Sequence, residues 1–282
     1  MSPDTADVAV VGAGAAGLMT AISCARHVSG KAAAGGPGLR IALFEGARTP
    51  GAKILVSGGG RCNVTNRAVR AQDFTGGAAR VVRDVLRAFP VDRTVAFFAE
   101  IGVPLHEEQD GKLFPDANRA RTVLDALLRE AGRLGVAMRP AHRVVDVARD
   151  GDGFTIATGA GDWRARAVVL ATGGRSLPKS GSDGFGYELA SRLGHGHVET
   201  TPALVPLVVD DARLRALSGV AHPATVTVRI EGRAAFTTTG SLLWTHFGAS
   251  GPAVLDASRH WHRAVAEGRP VEVFVGVCPG QT

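Results

Sequence analysis

A short apolar segment that runs directly into three closely spaced glycines constrains the fold of this chain more than any other feature. Residues 7–11 (DVAVV) have the β-branched, apolar character of a buried strand, and Gly12, Gly14 and Gly17 follow at once. Residues 18–28 are then apolar at helical spacing. Between a strand and a helix, such glycines permit a tight turn, the close approach of a pyrophosphate, and close packing of the helix on the strand. The pattern predicts a Rossmann-like α/β fold that binds a nucleotide.

A second predicted strand, residues 40–45 (RIALFE), ends in an acidic residue. The Glu45 carboxylate is placed to accept hydrogen bonds from an adenosine ribose, and its charge would repel a 2′-phosphate. It comes later than the usual offset of about 20 residues, because residues 30–38 (GKAAAGGPG) predict a flexible loop before the strand. The first glycine-rich segment alone is compatible with NAD, NADP or FAD, and the alternative is a glycine-rich turn without a ligand.

A second glycine-rich segment, residues 51–66 (GAKILVSGGGRCNVTN), indicates what kind of ligand is bound. Its last ten residues combine three consecutive glycines with a cation, a thiol, two amides and a hydroxyl, and they lack hydrophobic periodicity. Glycine amides and Arg61 are suited to a pyrophosphate, while Asn63, Thr65 and Asn66 offer donors and acceptors to a ring system or a ribityl chain. The alternative is a surface loop rich in turn-forming residues.

The composition fits a globular enzyme and argues against several other classes. The 282 residues are 45% hydrophobic, which is enough for one large or two ordinary domains. The net charge of +6 is spread without long runs of one sign, and one Tyr and three Trp offer little base stacking, so we expect no nucleic-acid partner. No stretch approaches the ~20 apolar residues of a membrane span, and no targeting signal is evident, so we expect a cytoplasmic protein without a membrane partner.

The three cysteines give no sign of a disulfide framework or of a metal site. Cys24, Cys62 and Cys278 have neither paired nor metal-ligand spacing. We therefore expect free thiols and no bound metal.

Beyond the glycine-rich segments, hydrophobic periodicity predicts both helices and strands. Residues 80–135 carry three helical stripes, and a hairpin that turns at Asp110 and Gly111 is predicted between the last two. Residues 136–174 predict a run of strands with a hairpin turn at residues 151–153, and a helix is predicted from about residue 184.

The pattern of apolar and polar residues changes after Thr200. From there the chain is rich in segments that alternate apolar and polar residues, which predicts a separate antiparallel β-rich module. We expect a nucleotide-binding Rossmann-like domain over residues 1–200, with a helical and hairpin excursion at about 72–165, and a β-rich domain over residues 201–282.

The predicted strand at residues 165–174 ends in small residues. Thr172, Gly173 and Gly174 allow a backbone to lie against a ligand where a larger side chain would intrude.

Five segments taken together resemble a known family. They are GAGAAGL, GAKILVSGGGRCNVTN, LATGGRSLPKSGSDGFGYELASRLGH, PALVPL and THFGASGPAVLDAS. The set resembles the BaiN-like flavoproteins, also labelled aminoacetone oxidase-like or NAD(P)/FAD-dependent oxidoreductases, over nearly the whole chain. The resemblance implies a two-part, Rossmann-like FAD-binding domain interrupted by an inserted domain that is part β-barrel and part helical.

The resemblance also implies a role for particular residues. It places the FAD pyrophosphate at Gly12, Ala13, Gly14, Ala15, Ala16 and Gly17, and the adenosine ribose at Glu45. It lines the phosphate and flavin side with Lys53, Ser57, Gly58, Gly59, Gly60, Arg61, Cys62 and Asn63. It sets the adenine against the backbone of Val144, and the dinucleotide along Ala171, Thr172 and Gly173.

The resemblance further implies that the chain is a truncated member or a fragment. Family members are usually longer, and after the insert they return to the flavin domain with a glycine-rich segment that closes the isoalloxazine pocket. This sequence ends at Thr282 without that segment. The inserted domain and the parallel sheet are therefore expected to be incomplete.

The implied chemistry is two-electron transfer through flavin N5. We expect the reduction of an activated double bond in a small-molecule substrate, with NAD(P)H as a transient electron donor that leaves no motif of its own. The alternatives are a flavin- or nucleotide-binding protein without turnover, and a basic protein associated with nucleic acid. No particular oligomeric state is predicted.

No catalytic acid or base stands out, but two side chains are candidates. His246 lies in WTHFGASGP, which is expected to be a glycine-rich loop that faces the flavin. Cys62 follows Arg61, whose charge is expected to lower the pKa of the thiol. For each, the alternative is a structural role.

Overall fold

In the computed structural model, which describes residues 4–32, 38–74 and 77–278, the chain divides into two units, Met1–His197 and Val198–Thr282. Each unit has its own sheet and its own hydrophobic core. No helix in these described ranges combines the length and the hydropathy that a membrane span requires.

The first unit is built on a mixed six-stranded sheet. In chain order its elements are β1 (Asp4–Val11), α1 (Ala15–Ala32), β2 (Ile41–Phe44), α2 (Ala52–Val56), β3 (Thr65–Asn66), α3 (Ala79–Ala88), α4 (Val91–Glu100), β4 (Leu105–Glu107), β5 (Lys112–Pro115), α5 (Ala120–Arg133), β6 (Ala137–Arg139), β7 (Val144–Asp150), β8 (Gly153–Thr158), β9 (Gly161–Leu170) and α6 (Phe185–Arg192). The strand order is β6-β2-β1-β9-β8-β7, in which β6, β2, β1 and β9 are parallel neighbours and β8 and β7 are antiparallel. The Rossmann-type α/β fold predicted from the sequence is confirmed.

The apolar run of β1 is buried on both faces of this sheet. Val10 packs with Leu18 and Leu124, which belong to α1 and α5, whereas Val11 packs with Leu189 of α6. Successive side chains of a strand point to opposite faces, so a continuous apolar strand requires cover on both sides. Because β1, β2 and β9 are parallel, their carboxyl ends meet at one edge, where open α/β sheets bind ligands.

The two predicted hairpins of the first unit are confirmed. The strands β4 and β5 pair antiparallel across a turn in which Asp110 and Gly111 have φ values of 63° and 73°. The strand β3 pairs with the other side of β5, which makes a small three-stranded sheet. The strands β7 and β8 pair across Gly151, whose φ is 58°. The three predicted helices between residues 80 and 135 correspond to α3, α4 and α5.

One local prediction needs correction. The loop predicted at residues 30–38 is wrong at its start, because α1 continues to Ala32; residues 33–37 lie outside the described ranges. A glycine inside a helix costs only about 1 kcal/mol relative to alanine, so Gly30 does not end α1. The second glycine-rich segment begins with α2 and continues in a 3₁₀ turn at Ser57–Gly60.

The second unit is an antiparallel sheet packed against one long helix. Its elements are β10 (Leu207–Val208), α7 (Ala212–Arg215), β11 (Ala221–Ile230), β12 (Arg233–Thr245), β13 (Gly248–Ser250), α8 (Pro252–Ala266) and β14 (Val271–Gly276). The strand order is β10-β13-β12-β11-β14, and all the pairings are antiparallel, as predicted.

The helix α8 was not predicted from the sequence. It buries the small side chains Ala253, Val254 and Ala257 against Val226 and Leu242 of the sheet. The expected glycine-rich loop WTHFGASGP is also wrong, because it contains the end of β12, a tight turn, β13 and the first residue of α8.

Candidate functional site

The first glycine-rich segment forms the turn between β1 and α1. The Gly12 N–H donates to the Phe44 carbonyl at 2.8 Å, and the Ala171 N–H donates to the Val11 carbonyl at 2.8 Å, so the turn is held between β2 and β9. Gly12 has a φ of +103°, and a Cβ atom there would lie 2.6 Å from the Ala171 carbonyl oxygen. A Cβ atom at Gly17 would overlap the carbonyl oxygen of Gly12. Both glycines are therefore required by backbone packing.

Gly14 differs from Gly12 and Gly17. A Cβ atom at Gly14 would meet no heavy atom within 4 Å, and its φ is not positive. The residue lines a cavity together with Ala15 and Ala16, the first residues of α1. The first N–H groups of a helix lack partners within the helix and favour an anion. This arrangement can hold a phosphate against the backbone.

Glu45 follows β2 directly and is fixed by two backbone donors. Its carboxylate accepts hydrogen bonds from the Ala13 N–H at 3.1 Å and from the Ala47 N–H at 2.9 Å. The side chain therefore bridges the ends of β1 and β2, and Glu45 also lines the cavity. A carboxylate has about four lone-pair sites, so acceptor capacity remains for ribose hydroxyl groups.

The cavity at the carboxyl edge of the sheet has a volume of about 1120 Å³. This exceeds the ~300–1,000 Å³ of common small-molecule pockets. One part of its lining is backbone and polar side chains, contributed by Gly12, Gly14, Glu45, Lys53, Arg143, Thr172, Lys179 and Ser182 among others. Another part is apolar, contributed by Met19, Ile54, Val64, Phe89, Phe97, Phe98, Val123 and Leu127.

The second glycine-rich segment lines the cavity on both sides of its three consecutive glycines. Gly58 and Gly59 have φ values of 55° and 68°, and a Cβ atom at Gly58 would lie 2.6 Å from the Asn63 nitrogen. The chain folds back on itself here, so that Ser57, Cys62 and Asn63 line the cavity.

Arg61 is bound to an acidic partner. Its guanidinium donates to Glu108 at 2.6 Å and lies 4.2 Å from the centre of the Phe114 ring. The hydrogen bond from Arg61 lowers the pKa of Glu108 below its ordinary value. The His106 ring contacts the same carboxylate at 3.3 Å. Arg61 is not among the residues that line the cavity, and its phosphate role stays a prediction.

Cys62 is not the activated thiol expected from its neighbour. Burial raises the pKa of this thiol, and a hydrogen bond with Ser57 offsets part of that effect. Because Arg61 is paired with Glu108, its charge is not directed at the sulfur. The expectation of a lowered pKa at Cys62 is therefore wrong. The residue has a φ of 65°, which is uncommon outside glycine, asparagine and aspartate.

Sequence reasoning included the loop after β9 in a family motif but missed that the residues from Pro178 to Asp183 line the cavity. Ser182 is buried, accepts a hydrogen bond from Lys53 Nζ at 3.1 Å, and donates to the Gly174 carbonyl at 2.9 Å. Asp183 accepts from Arg143 at 2.7 Å. These two contacts fasten the loop to α2 and to the start of β7. The signal was present in the family segment LATGGRSLPKSGSDGFGYELASRLGH, as polar and small residues directly after the strand.

Two opposing effects shift the pKa of the Asp183 carboxyl in this loop. Burial raises the pKa of its carboxyl, but the Phe185 N–H and the Arg143 guanidinium outweigh burial, so that the pKa is lower than usual. Asp183 therefore stays ionised at neutral pH, as its pairing with Arg143 requires.

Most of the residues predicted for the site lie around this one cavity. Its lining includes Gly12, Gly14, Ala15, Ala16, Glu45, Lys53, Ser57, Cys62, Asn63, Val144, Ala171, Thr172 and Gly173. Members of the same segments that lie outside the lining are Ala13, Gly17, Gly58, Gly59, Gly60 and Arg61. His246 belongs to the second unit, where it is exposed in the turn between β12 and β13.

The chain matches a known family over most of its length. The sequence profile of the HI0933-like protein Rossmann domain matches residues 6–258. A ribosomal RNA dihydrouridine synthase from Escherichia coli is 34% identical over 258 residues, which are 90% of this chain and 61% of that protein. A 3-dehydro-bile acid delta(4,6)-reductase from Clostridium scindens is 33% identical over 272 residues, which are 96% of this chain and 64% of that protein. The chain thus spans about three fifths of the length of these relatives.

A solved structure shows the same fold. The 3-ketosteroid-delta4-(5alpha)-dehydrogenase from Rhodococcus jostii superposes with a TM-score of 0.53 at 18% identity, covering 77% of this chain and 59% of that one. At this identity the similarity concerns the fold. The matches in sequence confirm the family resemblance that the motifs indicated.

Proposed function

Because the chain belongs to the HI0933-like family of Rossmann-fold flavoproteins, we propose that it binds FAD in the cavity of the first unit and reduces an activated C=C double bond. The observation that carries this proposal is that Gly14, the start of α1 and Glu45 all face one large cavity. These are the elements that a dinucleotide needs for its pyrophosphate and its ribose.

The residues around the cavity fit the polar half of FAD. The open space at Gly14 and the first N–H groups of α1, which lack partners within the helix, suit the pyrophosphate. Glu45 suits the ribose hydroxyls, and the backbone of Val144 and of the segment from Ala171 to Gly173 suits the adenosine side. Lys53, held by Ser182, adds a positive charge to the lining. Bound FAD supplies a centre that accepts and donates two electrons as hydride.

The names of the two relatives support double-bond reduction. A dihydrouridine synthase adds two hydrogens across a C=C bond of uridine, and a delta(4,6)-reductase removes C=C bonds of a steroid skeleton. In both substrates the bond is conjugated with a carbonyl group. The protein would orient such a bond, exclude water from it and leave the redox chemistry to the cofactor. We propose a small-molecule substrate and NAD(P)H as the electron donor.

Flavin binding is the first test. The purified chain is mixed with FAD, passed through a desalting column and examined for a protein-bound flavin band at about 450 nm. Retention of the band at a stoichiometric amount is expected. A chain that is folded by circular dichroism but retains no flavin at micromolar FAD would overturn the proposal.

Turnover is the second test. Under anaerobic conditions, bleaching of the flavin band by NADH or NADPH, and its recovery on adding 2-cyclohexen-1-one, is the expected result. Bleaching without recovery by either 2-cyclohexen-1-one or uridine-containing RNA would contradict double-bond reduction, and no bleaching by either nicotinamide would contradict the proposed donor. A parallel sample with uridine-containing RNA as the acceptor tests the expectation that nucleic acid is not the substrate.

A further inference from the structure

The two edges of the antiparallel sheet in the second unit differ in length. One edge is β10, which spans only Leu207–Val208. The other edge is β14, which spans Val271–Gly276 and has β11 as its one partner among the described strands. Alternate N–H and C=O groups of an edge strand point away from the sheet, so a long edge is a template for another strand.

The strand β14 lacks the features that usually keep an edge strand from pairing. Proteins protect such edges with Lys, with Pro, with bulges or with very short strands. The sequence of β14, VEVFVG, contains no Lys, Arg or Pro, and its six residues pair with β11 in one unbroken register. Glu272 is its one charged residue. The strand is therefore regular, rich in β-branched residues and suited to pairing on its open side.

The hydrophobic core of the second unit is incompletely covered at this edge. Val226 and Val228 of β11 are fully buried. Val275 and Val273, which lie directly opposite them in β14, are only partly buried. Residues that lie opposite each other in neighbouring strands share one face of the sheet. A further strand beside β14 would therefore remove more of this apolar surface from water.

The other face of β14 carries an acidic and an aromatic side chain. Glu272 and Phe274 are exposed there, and the guanidinium of Arg229 in β11 lies 4.6 Å from the centre of the Phe274 ring. In the part of the chain that the structure describes, neither Arg229 nor Glu272 forms an ion pair. Both charges are therefore available to a partner.

A second β14 strand can pair antiparallel with the first only in certain registers. Opposite residues share a face, so an odd-numbered residue must lie opposite an odd-numbered one for the valines to stay on the core side. A register centred on Glu272 would bring two carboxylates together, which is unfavourable. A register centred on Phe274 would leave Val271 without an opposite residue in the strand. The register centred on Val273 avoids both faults.

We propose that two copies of this chain associate through β14, which pairs antiparallel with β14 of the second copy about a two-fold axis at Val273. Val271 of each copy then lies opposite Val275 of the other, so the core side of the joined strands is a continuous row of valines. The association closes at two chains, because the two-residue edge at β10 is too short to add a stable strand pair.

Charges across the joined strands are complementary in this register. Glu272 of one copy lies opposite Phe274 of the other, and it therefore comes next to the Arg229 guanidinium that lies over that ring. The two-fold axis repeats the contact on the other side. Arg229 and Glu272 also lie opposite each other within one chain. A test by charge reversal must therefore separate contacts between chains from contacts within a chain.

Sedimentation velocity of the purified chain measures the association. We expect a monomer–dimer equilibrium with a dissociation constant in the micromolar range, because one strand pair buries less than the ~1,600 Å² of a standard interface. A chain that stays monomeric up to about 200 µM would overturn the proposal. A mass that grows beyond two chains would also overturn it.

Charge reversal locates the contact. Glu272→Lys and Arg229→Glu each place like charges between the two copies, so each alone is expected to weaken the dimer at least about tenfold. An equimolar mixture of the two variants restores opposite charges at both contacts between the chains, while the like charges within each chain remain. The mixture should therefore associate within about threefold of wild type, and only a contact between chains explains that recovery.

Asp210→Lys is the matched control. It makes the same change of charge just after β10, where Asp210 is exposed and paired with Arg215. Its dimer should be within about threefold of wild type in affinity. Circular dichroism verifies that each variant is folded. Equal association of Glu272→Lys and Asp210→Lys would overturn the proposal, as would a mixture that associates no more tightly than either charge-reversed variant alone.

Discussion

In the segment at residues 12–17, glycines bring one backbone against another, whereas in the segment at residues 57–63 they let the chain turn back on itself. Gly17 leaves no room for a side chain because the Gly12 carbonyl occupies that space, while Gly58 and Gly59 sit in the left-handed region of φ. The first segment is therefore specified by steric contact within a few residues. The second depends on partners far away in sequence, such as Glu108 for Arg61.

The helix that follows the first segment and the loop of the second segment each carry an ion pair, and the two pairs differ in burial. Glu130 of α5 accepts hydrogen bonds from Arg26 of α1 at 2.6 Å and from Arg133 at 2.7 Å, and its side chain is 8% exposed. The Arg61 pair with Glu108 is more open, since the Glu108 side chain is 31% exposed. Buried and exposed pairs contribute very differently to stability, so the two regions can be compared by substitution.

Gly17→Ala should have the largest effect. The new Cβ atom overlaps the Gly12 carbonyl, so either α1 or the turn must move, and we expect a loss of about 3 kcal/mol or more in the free energy of unfolding. Urea denaturation followed by circular dichroism measures it. Gly132→Ala is the control, since Gly132 lies in α5, where a Cβ atom would meet no heavy atom within 4 Å, and alanine there should stabilise by up to about 1 kcal/mol. Equal stability of the two variants would contradict the steric account.

Glu130→Gln should have the next largest effect. It removes the charge that Arg26 and Arg133 share, and we expect a loss of about 2 kcal/mol in the free energy of unfolding. The hydrogen bond from Arg133, with those from Arg26, lowers the pKa of Glu130 to about 2 from an ordinary 4.5. The stabilisation is thus full above pH 4.5 and is lost as the pH falls toward 2.

The measurement for Glu130 is the pH dependence of urea denaturation. The difference between wild type and Glu130→Gln should shrink as the pH is lowered through this window. A difference that stays constant from pH 6 down to about pH 3 would show that the charge of Glu130 does not stabilise the fold.

Gly14→Ala should weaken FAD binding without weakening the fold. The added methyl group meets no protein atom but enters the space assigned to the pyrophosphate, so we expect at least about a tenfold loss in FAD affinity, or about 1.4 kcal/mol. The thermal midpoint without FAD should stay within a few degrees of wild type. Titration of FAD against protein fluorescence measures the affinity. Unchanged affinity would exclude Gly14 from the cofactor site. Substitutions in the two glycine-rich segments would then not differ in their effect on FAD affinity.

Arg61→Gln and Glu108→Gln should have the smallest effects. An exposed pair contributes little to stability, so each substitution should leave the urea midpoint close to that of wild type, and a double-mutant cycle should give a coupling near zero. FAD affinity should change by less than about threefold if Arg61 stays with Glu108. A tenfold loss of FAD affinity in Arg61→Gln alone would show instead that the guanidinium turns to the phosphates when the cofactor binds.

The parts of the fold that could be predicted are those encoded over short distances. The strand β1, the turn at Gly12 and the start of α1 follow one another within a few residues, so their pattern is visible in the sequence. The same holds for the hairpin at Asp110 and Gly111, whose turn residues adopt positive φ values. These elements need no distant partner to be recognised.

The parts that could not be predicted depend on distant contacts or on weak periodicity. The helix α8 buries mainly alanines and follows a glycine-rich stretch, so it lacks a strong apolar stripe. The pairing of Arg61 with Glu108 joins residues 47 positions apart, and it overturns the expected lowering of the Cys62 pKa. The loop that holds Ser182 was recognised as part of a family motif, but its contact with Lys53 spans 129 positions.

The three thiols differ in accessibility, and that difference provides a chemical reporter. Cys278 is exposed, Cys24 is half-buried, and Cys62 is buried in the cavity wall with a raised pKa. Alkylation by iodoacetamide requires a thiolate that solvent can reach, so Cys278 should react first and Cys62 last. The rate of carbamidomethylation at Cys62, followed by mass spectrometry of its peptide, would then record when a ligand occupies the cavity, even one that has no absorbance of its own.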